Sequence, residues 1–167
     1  MKKLLFVTAI MLGFAAGAFA QVSATASAEA TIVTPIAITK TFDMNFGNVA
    51  VSPTVPGTVV MTPAGVRSIT GGVTLPAAAG AVAAASFDVT GTGSYTYAIT
   101  LPASNTITDG TNNMTVDAFT STPSGIGTLS TGGTQTLNVG ATLNVGANQI
   151  AGVYTSATPF TVTVNYN

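Results

Sequence analysis

The chain contains no cysteine, no histidine and no tryptophan, and only 5% of its 167 residues are charged. Without thiols or imidazoles there can be no disulfide, no cysteine nucleophile, no imidazole base and no zinc site of the usual ligand set. After Lys2 and Lys3, the only cations are Lys40 and Arg67, set against Glu29, Asp43, Asp88, Asp109 and Asp117. Two cations cannot neutralise a run of phosphates, so nucleic acid is excluded as a partner. The scattered carboxylates suggest no acid–base pair, and the many Ser and Thr hydroxyls lack a neighbouring base. Neither an enzyme nor a bound cofactor or metal is expected. Long apolar runs are missing too. The apolar residues are mainly Ala and Val dispersed among Thr, Ser and Gly, and nothing approaches the roughly 20 residues needed to span a bilayer as a helix.

The start of the chain has the pattern of a secretory leader. Lys2 and Lys3 precede an apolar stretch from Leu4 to about Ala16, and Ala18-Phe19-Ala20 is a small-x-small cleavage site. Residues 1–20 are therefore expected to be a signal peptide, with a mature protein in the periplasm, on the cell surface or outside the cell. An exported domain without cysteine must be held by its hydrophobic core alone. A domain of about 150 residues buries enough surface for that.

Past the leader, apolar residues recur with period two and the runs are rich in β-branched Thr and Val, which predicts an all-β chain. Phe160, Val162, Val164 and Tyr166 alternate with Thr161, Thr163 and Asn165 as a half-buried strand requires. Tyr95, Tyr97, Ile99 and Leu101 form a second such face. Phe87 and Val89 precede it across Gly91-Thr92-Gly93, which suggests a hairpin. Val59 and Met61, Val66 to Thr70, and Val73 to Leu75 after the Gly71-Gly72 reversal supply further short strands. Met44 to Val51 and Met114 to Ala118 are others. The phrase Leu137-Asn138-Val139-Gly140 returns as Leu143-Asn144-Val145-Gly146, read as two short strands or one bulged strand. Ala77 to Ala85 reads as a loop. Short strands with frequent Gly and Pro turns predict an immunoglobulin-like antiparallel β-sandwich over residues 31–167.

Residues 21–30 form an N-terminal arm. Val22, Ala24, Ala26, Ala28 and Ala30 occupy alternate positions, with mostly Ser, Thr and Glu29 between them. Burying this apolar face is worth at most about 5 kcal/mol, whereas ordering ten residues costs roughly 10 kcal/mol or more. Such an arm needs an existing sheet edge, its own or a neighbour's. Strand addition between subunits is one way to provide it.

In order along the chain, Asp43-Met44-Asn45-Phe46-Gly47, Gly57-Thr58-Val59-Val60, Gly65-Val66-Arg67 and Gly71-Gly72-Val73-Thr74-Leu75 resemble the exported bacterial family called domain of unknown function 4402. So do Phe87-Asp88-Val89-Thr90-Gly91, Met114-Thr115-Val116-Asp117, Val139-Gly140-Ala141-Thr142-Leu143, Gly152-Val153-Tyr154 and the tail Phe160 to Tyr166. The resemblance implies a secreted sandwich similar to spore-coat U and chaperone-usher pilin domains. It also implies a closing strand, Phe160, Val162, Val164 and Tyr166, that a periplasmic assembly chaperone reads, and an arm similar to a pilin donor strand. The arm carries Ala where donor strands usually have larger apolar residues.

Two readings of function follow. One is a structural subunit of a surface fibre, pilus or coat, a homo-oligomer or a partner of other exported subunits. The other is a self-contained extracellular binding or adhesion module, with glycans as a candidate ligand, using loops at one end of the sandwich. Separately, Tyr95, Tyr97 and Tyr154 would offer a sugar-stacking surface. Alternation favours core packing for these tyrosines. Asp109-Gly110-Thr111-Asn112-Asn113 has turn residues without the spaced ligands of a calcium loop. Lys40 and Arg67 are expected to be solvated charges at strand ends.

Overall fold

The computed structural model describes residues 21–167; the expected signal peptide lies outside them. The chain divides after Ile32 into two parts. Gln21–Ile32 forms no strand, and each of its residues is exposed. The alternation that begins at Val22 becomes a strand only from Ala37, where larger side chains replace the run of alanines.

The regular elements of Val33–Asn167 are all strands. They are β1 (Ala37–Phe42), β2 (Asn45–Phe46), β3 (Ala50–Val51), β4 (Gly57–Met61), β5 (Arg67–Gly71), β6 (Val73–Thr74), β7 (Val82–Ala83) and β8 (Ala85–Thr90). There follow β9 (Thr96–Thr100), β10 (Ser104–Thr108), β11 (Asn113–Thr122), β12 (Ile126–Thr128), β13 (Thr134–Val145), β14 (Thr155–Ser156) and β15 (Thr163–Tyr166). An eight-stranded sheet runs β1-β8-β13-β11-β10-β14, with β4 on β13 and β5 outside β4. A second sheet has the order β12-β9-β15, and two ribbons pair β2 with β7 and β3 with β6. Every pairing is antiparallel.

The repeated phrase forms one continuous strand. In β13, Leu137, Val139, Ala141, Leu143 and Val145 all face the interior and are buried. One edge of β13 pairs with β11. The other pairs first with β8, through Val139, and then with β4, from Ala141 onward. The irregularity lies on the partner strand. The β11 register slips between Asp117 and Thr120, where Ala118 takes a positive φ of 45°, as a bulge requires.

Two apolar clusters hold the sandwich together. Ala85, Val89, Leu137 and Val139 of the large sheet meet Tyr97, Val162 and Val164 from the side of the three-stranded sheet. Val59, Val116, Ala141, Leu143 and Val145 form the other cluster, with Val73 of β6 and the half-buried Phe46, Val49 and Val51. Each fully buried side chain of this size contributes about 1.5–3 kcal/mol.

The hairpin expected between Phe87–Val89 and Tyr95–Tyr97 is not formed. β8 already has β1 on one edge and β13 on the other, so the chain crosses to the opposite sheet, where β9 pairs with β12 and β15. Gly91-Thr92-Gly93 makes that crossing. A Cβ on Gly91 would meet the Tyr166 hydroxyl at 2.2 Å, and one on Gly93 would meet the Thr131 carbonyl at 2.3 Å. Strand residues that turn within one sheet and those that cross between two use the same turn chemistry, and only the occupancy of the edges separates them. The tail is also shorter as a strand than its alternation suggests. Its buried and exposed residues alternate from Phe160 to Tyr166, but only Thr163–Tyr166 lies in a ladder.

Candidate functional site

The three-stranded sheet and the two ribbons do not cover the whole inner face of the large sheet. Between them the floor is open as a groove of about 880 Å3. Phe87 of β8, Leu143 and Val145 of β13, Met114 and Val116 of β11, and Ile107 of β10 form its apolar base. They come together because register places alternate residues of neighbouring strands on one face: Leu143 lies opposite Val116, and Ile107 opposite Met114. The lips are apolar as well. Phe42 is 63% exposed, Ile150 55% and Val153 82%, and all three line the groove.

Polar contacts hold both walls. On one side the Arg67 guanidinium donates from Nη1 to the Phe46 carbonyl and to the Asn48 carbonyl at 3.1 Å. Asn48 in turn donates from its backbone to the Ala79 carbonyl at 2.7 Å and from Nδ2 to the Ala78 carbonyl at 2.9 Å. Gly47 lies inside this knot with φ of 67°, and a Cβ there would come within 2.3 Å of the Ala79 carbonyl. Arg67 is therefore a clamp between β5 and the 46–48 turn rather than the solvated charge expected at a strand end. Replacing it with Met keeps the stem and removes both bonds. The expected loss is about 2 kcal/mol, read as a lower urea midpoint at unchanged slope. Lys40 fits the expectation better. It pairs with Asp43 at 2.7 Å on the rim, and both side chains are exposed.

The opposite wall, residues 149–156, is tied down by Tyr154 and by β14. Tyr154 Oη donates to the Ile150 carbonyl at 2.8 Å and accepts from Gln149 Nε2 at 2.9 Å. β14 pairs with β10, and Asn105 Nδ2 donates to Ser156 Oγ at 3.0 Å.

Asp109 makes a turn, as its residue types predict. Its carboxylate accepts from Asn112 Nδ2 at 2.9 Å, from the Asn112 backbone at 2.6 Å and from the Thr111 backbone at 2.9 Å. These donors, the Asn112 side chain foremost, lower its pKa from 3.8 to about 2. A carboxylate depressed in the folded state adds stability above its unfolded value, and this is lost as pH falls through the folded one. The melting temperature is thus expected to drop between about pH 4 and pH 2, and Asp109→Asn is expected to flatten that part of the profile. Among the described residues, no three His, Cys, Asp or Glu gather as metal ligands, and no helix is long and apolar enough to cross a membrane.

The sugar-stacking surface does not assemble. Tyr97 is fully buried, and burial pushes its phenol above the ordinary value. Tyr95 packs edge-on against Tyr166 with ring centroids 5.6 Å apart, while Tyr154 belongs to the groove wall. The sequence-predicted assembly residues fall into two sets. Val22, Ala24, Ala26, Ala28 and Ala30 are exposed and outside any strand. In the closing strand, Val162 and Val164 are core, and Phe160 lines the groove while packing on Phe119 at 5.0 Å. Tyr166 Oη accepts from the Thr92 backbone at 2.7 Å and donates to the Thr34 carbonyl at 2.8 Å. Sequence reasoning missed the groove, although Phe87, Met114, Val116, Leu143 and Val145 had each been placed on strands. The missing information was how few strands the second sheet contains.

These features define an all-β antiparallel sandwich whose distinguishing surface is an apolar groove. The chain belongs to the family described as Domain of unknown function (DUF4402), whose model matches residues 36–166. No curated protein and no solved structure gives a significant match. The family match begins after the exposed arm, so the arm is supported by this chain's own sequence alone.

Proposed function

We propose that this protein is an exported structural subunit of a surface fibre, pilus or coat, joined to its neighbours by strand pairing. The observation that carries this reading is the segment Gln21–Ile32, which has the alternation of a strand but is exposed throughout and in no ladder. Val22 and Ile32 are each 92% exposed. A chain that left such a segment in water would gain nothing from its apolar positions, whereas a partner edge would satisfy its backbone and cover them. The scarcity of charge agrees with this, since few like charges oppose the approach of one copy to another. Export follows from the leader pattern, and a periplasmic chaperone would keep such subunits apart before assembly. The alternative reading, a binding or adhesion module that uses loops at one end of the sandwich, calls for an internally paired N-terminus, and Gln21–Ile32 lies in no ladder among the described residues.

Deleting Gln21–Ala30 tests the proposal. Light scattering and electron microscopy of the mature protein are expected to show polymers that disappear in the deletion, with the circular dichroism of the sandwich retained. Polymers that persist unchanged would overturn the arm's role.

A further inference from the structure

Two unpaired features of the sandwich lie beside one another. The apolar groove carries Phe42, Ile150 and Val153 exposed on its lips. Pro159 and Phe160, on its margin, open a stretch that runs to Val162 outside any ladder among the described residues, and β15 beyond it has β9 as its one partner among them. We propose that the groove of one copy receives the arm Val22–Ile32 of a second copy as an added strand. This rests on the reading that subunits pair through strands, and it assigns the acceptor surface.

Backbone chemistry favours a strand over a lipid tail or other small apolar ligand. Either would cover the floor, but only a peptide offers N–H and C=O groups to the unladdered segment from Phe160 to Val162. Side-chain size agrees. The alternate positions Ala24, Ala26, Ala28 and Ala30 add one methyl group each, which leaves room for the backbones to approach.

The absence of cysteine makes a direct test possible, because any introduced thiol is unique. Full-length mature protein carrying Ala24→Cys, Ala26→Cys or Ala28→Cys is mixed with protein carrying Phe42→Cys or Val153→Cys on the lips. After assembly and oxidation, covalent heterodimers are measured on a denaturing non-reducing gel. A disulfide needs Cα atoms within about 7 Å, so the link reports position. Ile126→Cys is the control, since Ile126 is 60% exposed on β12 and does not line the groove. At least one arm position is expected to link to a lip about tenfold more efficiently than any links to Ile126. Equal or stronger linkage at Ile126, or assembled material with no linkage at either lip, would overturn the groove as acceptor. If polymers also vanish on deleting the arm, strand pairing would stand and only its site would move. Polymers that survive the deletion would instead remove the reading on which the proposal rests.

Discussion

Tyr97→Ala is expected to destabilise the protein by about 3–5 kcal/mol, the range for emptying a buried aromatic site. That is a large share of the roughly 5–15 kcal/mol that holds a typical domain. Tyr97 is fully buried in β9, where its ring faces Val89, Leu137 and the other apolar residues of the first cluster. Gly127 of β12 is shaped to it, since a Cβ there would come within 2.2 Å of the ring. The hydroxyl is also engaged. Tyr97 Oη donates to Gln135 Oε1 at 2.7 Å, and the same oxygen accepts from the Thr128 backbone at 3.0 Å. This links three strands across the two sheets: β9, the end of β12 and β13. Tyr97→Phe keeps the packing and removes one hydrogen bond, so its expected loss is only about 1 kcal/mol. Thermal melts distinguish the two, with a fall of about 10 °C or more for alanine and about 3 °C for phenylalanine. Equal losses would mean that the ring contributes little beyond its hydroxyl.

Gly140→Ala is expected to be nearly as damaging, and Gly146→Ala almost silent, although both glycines end the same four-residue phrase. Gly140 sits where β13 changes partner from β8 to β4, and the chain leaving β4 passes directly over it. An added Cβ would lie 2.2 Å from the Met61 carbonyl oxygen, 2.6 Å from the Thr62 carbonyl carbon and 2.8 Å from the Pro63 nitrogen. All three are backbone atoms, so the conflict can be relieved only by parting the β4–β13 ladder. The expected loss is about 3 kcal/mol or more. At Gly146 the nearest atom is Gln149 Oε1 at 3.2 Å, the far end of a flexible side chain. There the reduced freedom of the unfolded chain offsets the contact, and the change is expected to stay within about 0.5 kcal/mol. Urea melts of the two variants check the contrast. Similar midpoints would contradict the partner exchange at Gly140.

The parts of the fold that could be read from the residues are those in which one strand shows its own periodicity. β13 and the tail are examples: their apolar positions alternate, and the structure buries Leu137, Val139, Leu143, Val145, Val162 and Val164 accordingly. Where the answer depends on which strand already occupies an edge, local pattern is silent. That is why Gly91-Thr92-Gly93 reads as a hairpin turn yet crosses between sheets. Arg67 shows the same limit for side chains, because the carbonyls it clamps lie about 20 positions earlier and nothing near Arg67 in sequence announces them. The groove is further still from the local pattern. Its floor residues are ordinary strand residues, and what makes them a surface is the small size of the opposing sheet. The arm is the reverse case: its alternation was plain, and the structure leaves it in no strand, as its small gain on burial and large ordering cost require.

The central claim is that the arm pairs with another copy, and amide hydrogen exchange of Val22–Ile32 measures this most directly. In assembled protein these amides are expected to be protected at alternate positions, as in a ladder, and to exchange freely once the copies are dispersed. Arm amides that exchange just as freely within the assemblies would contradict the account.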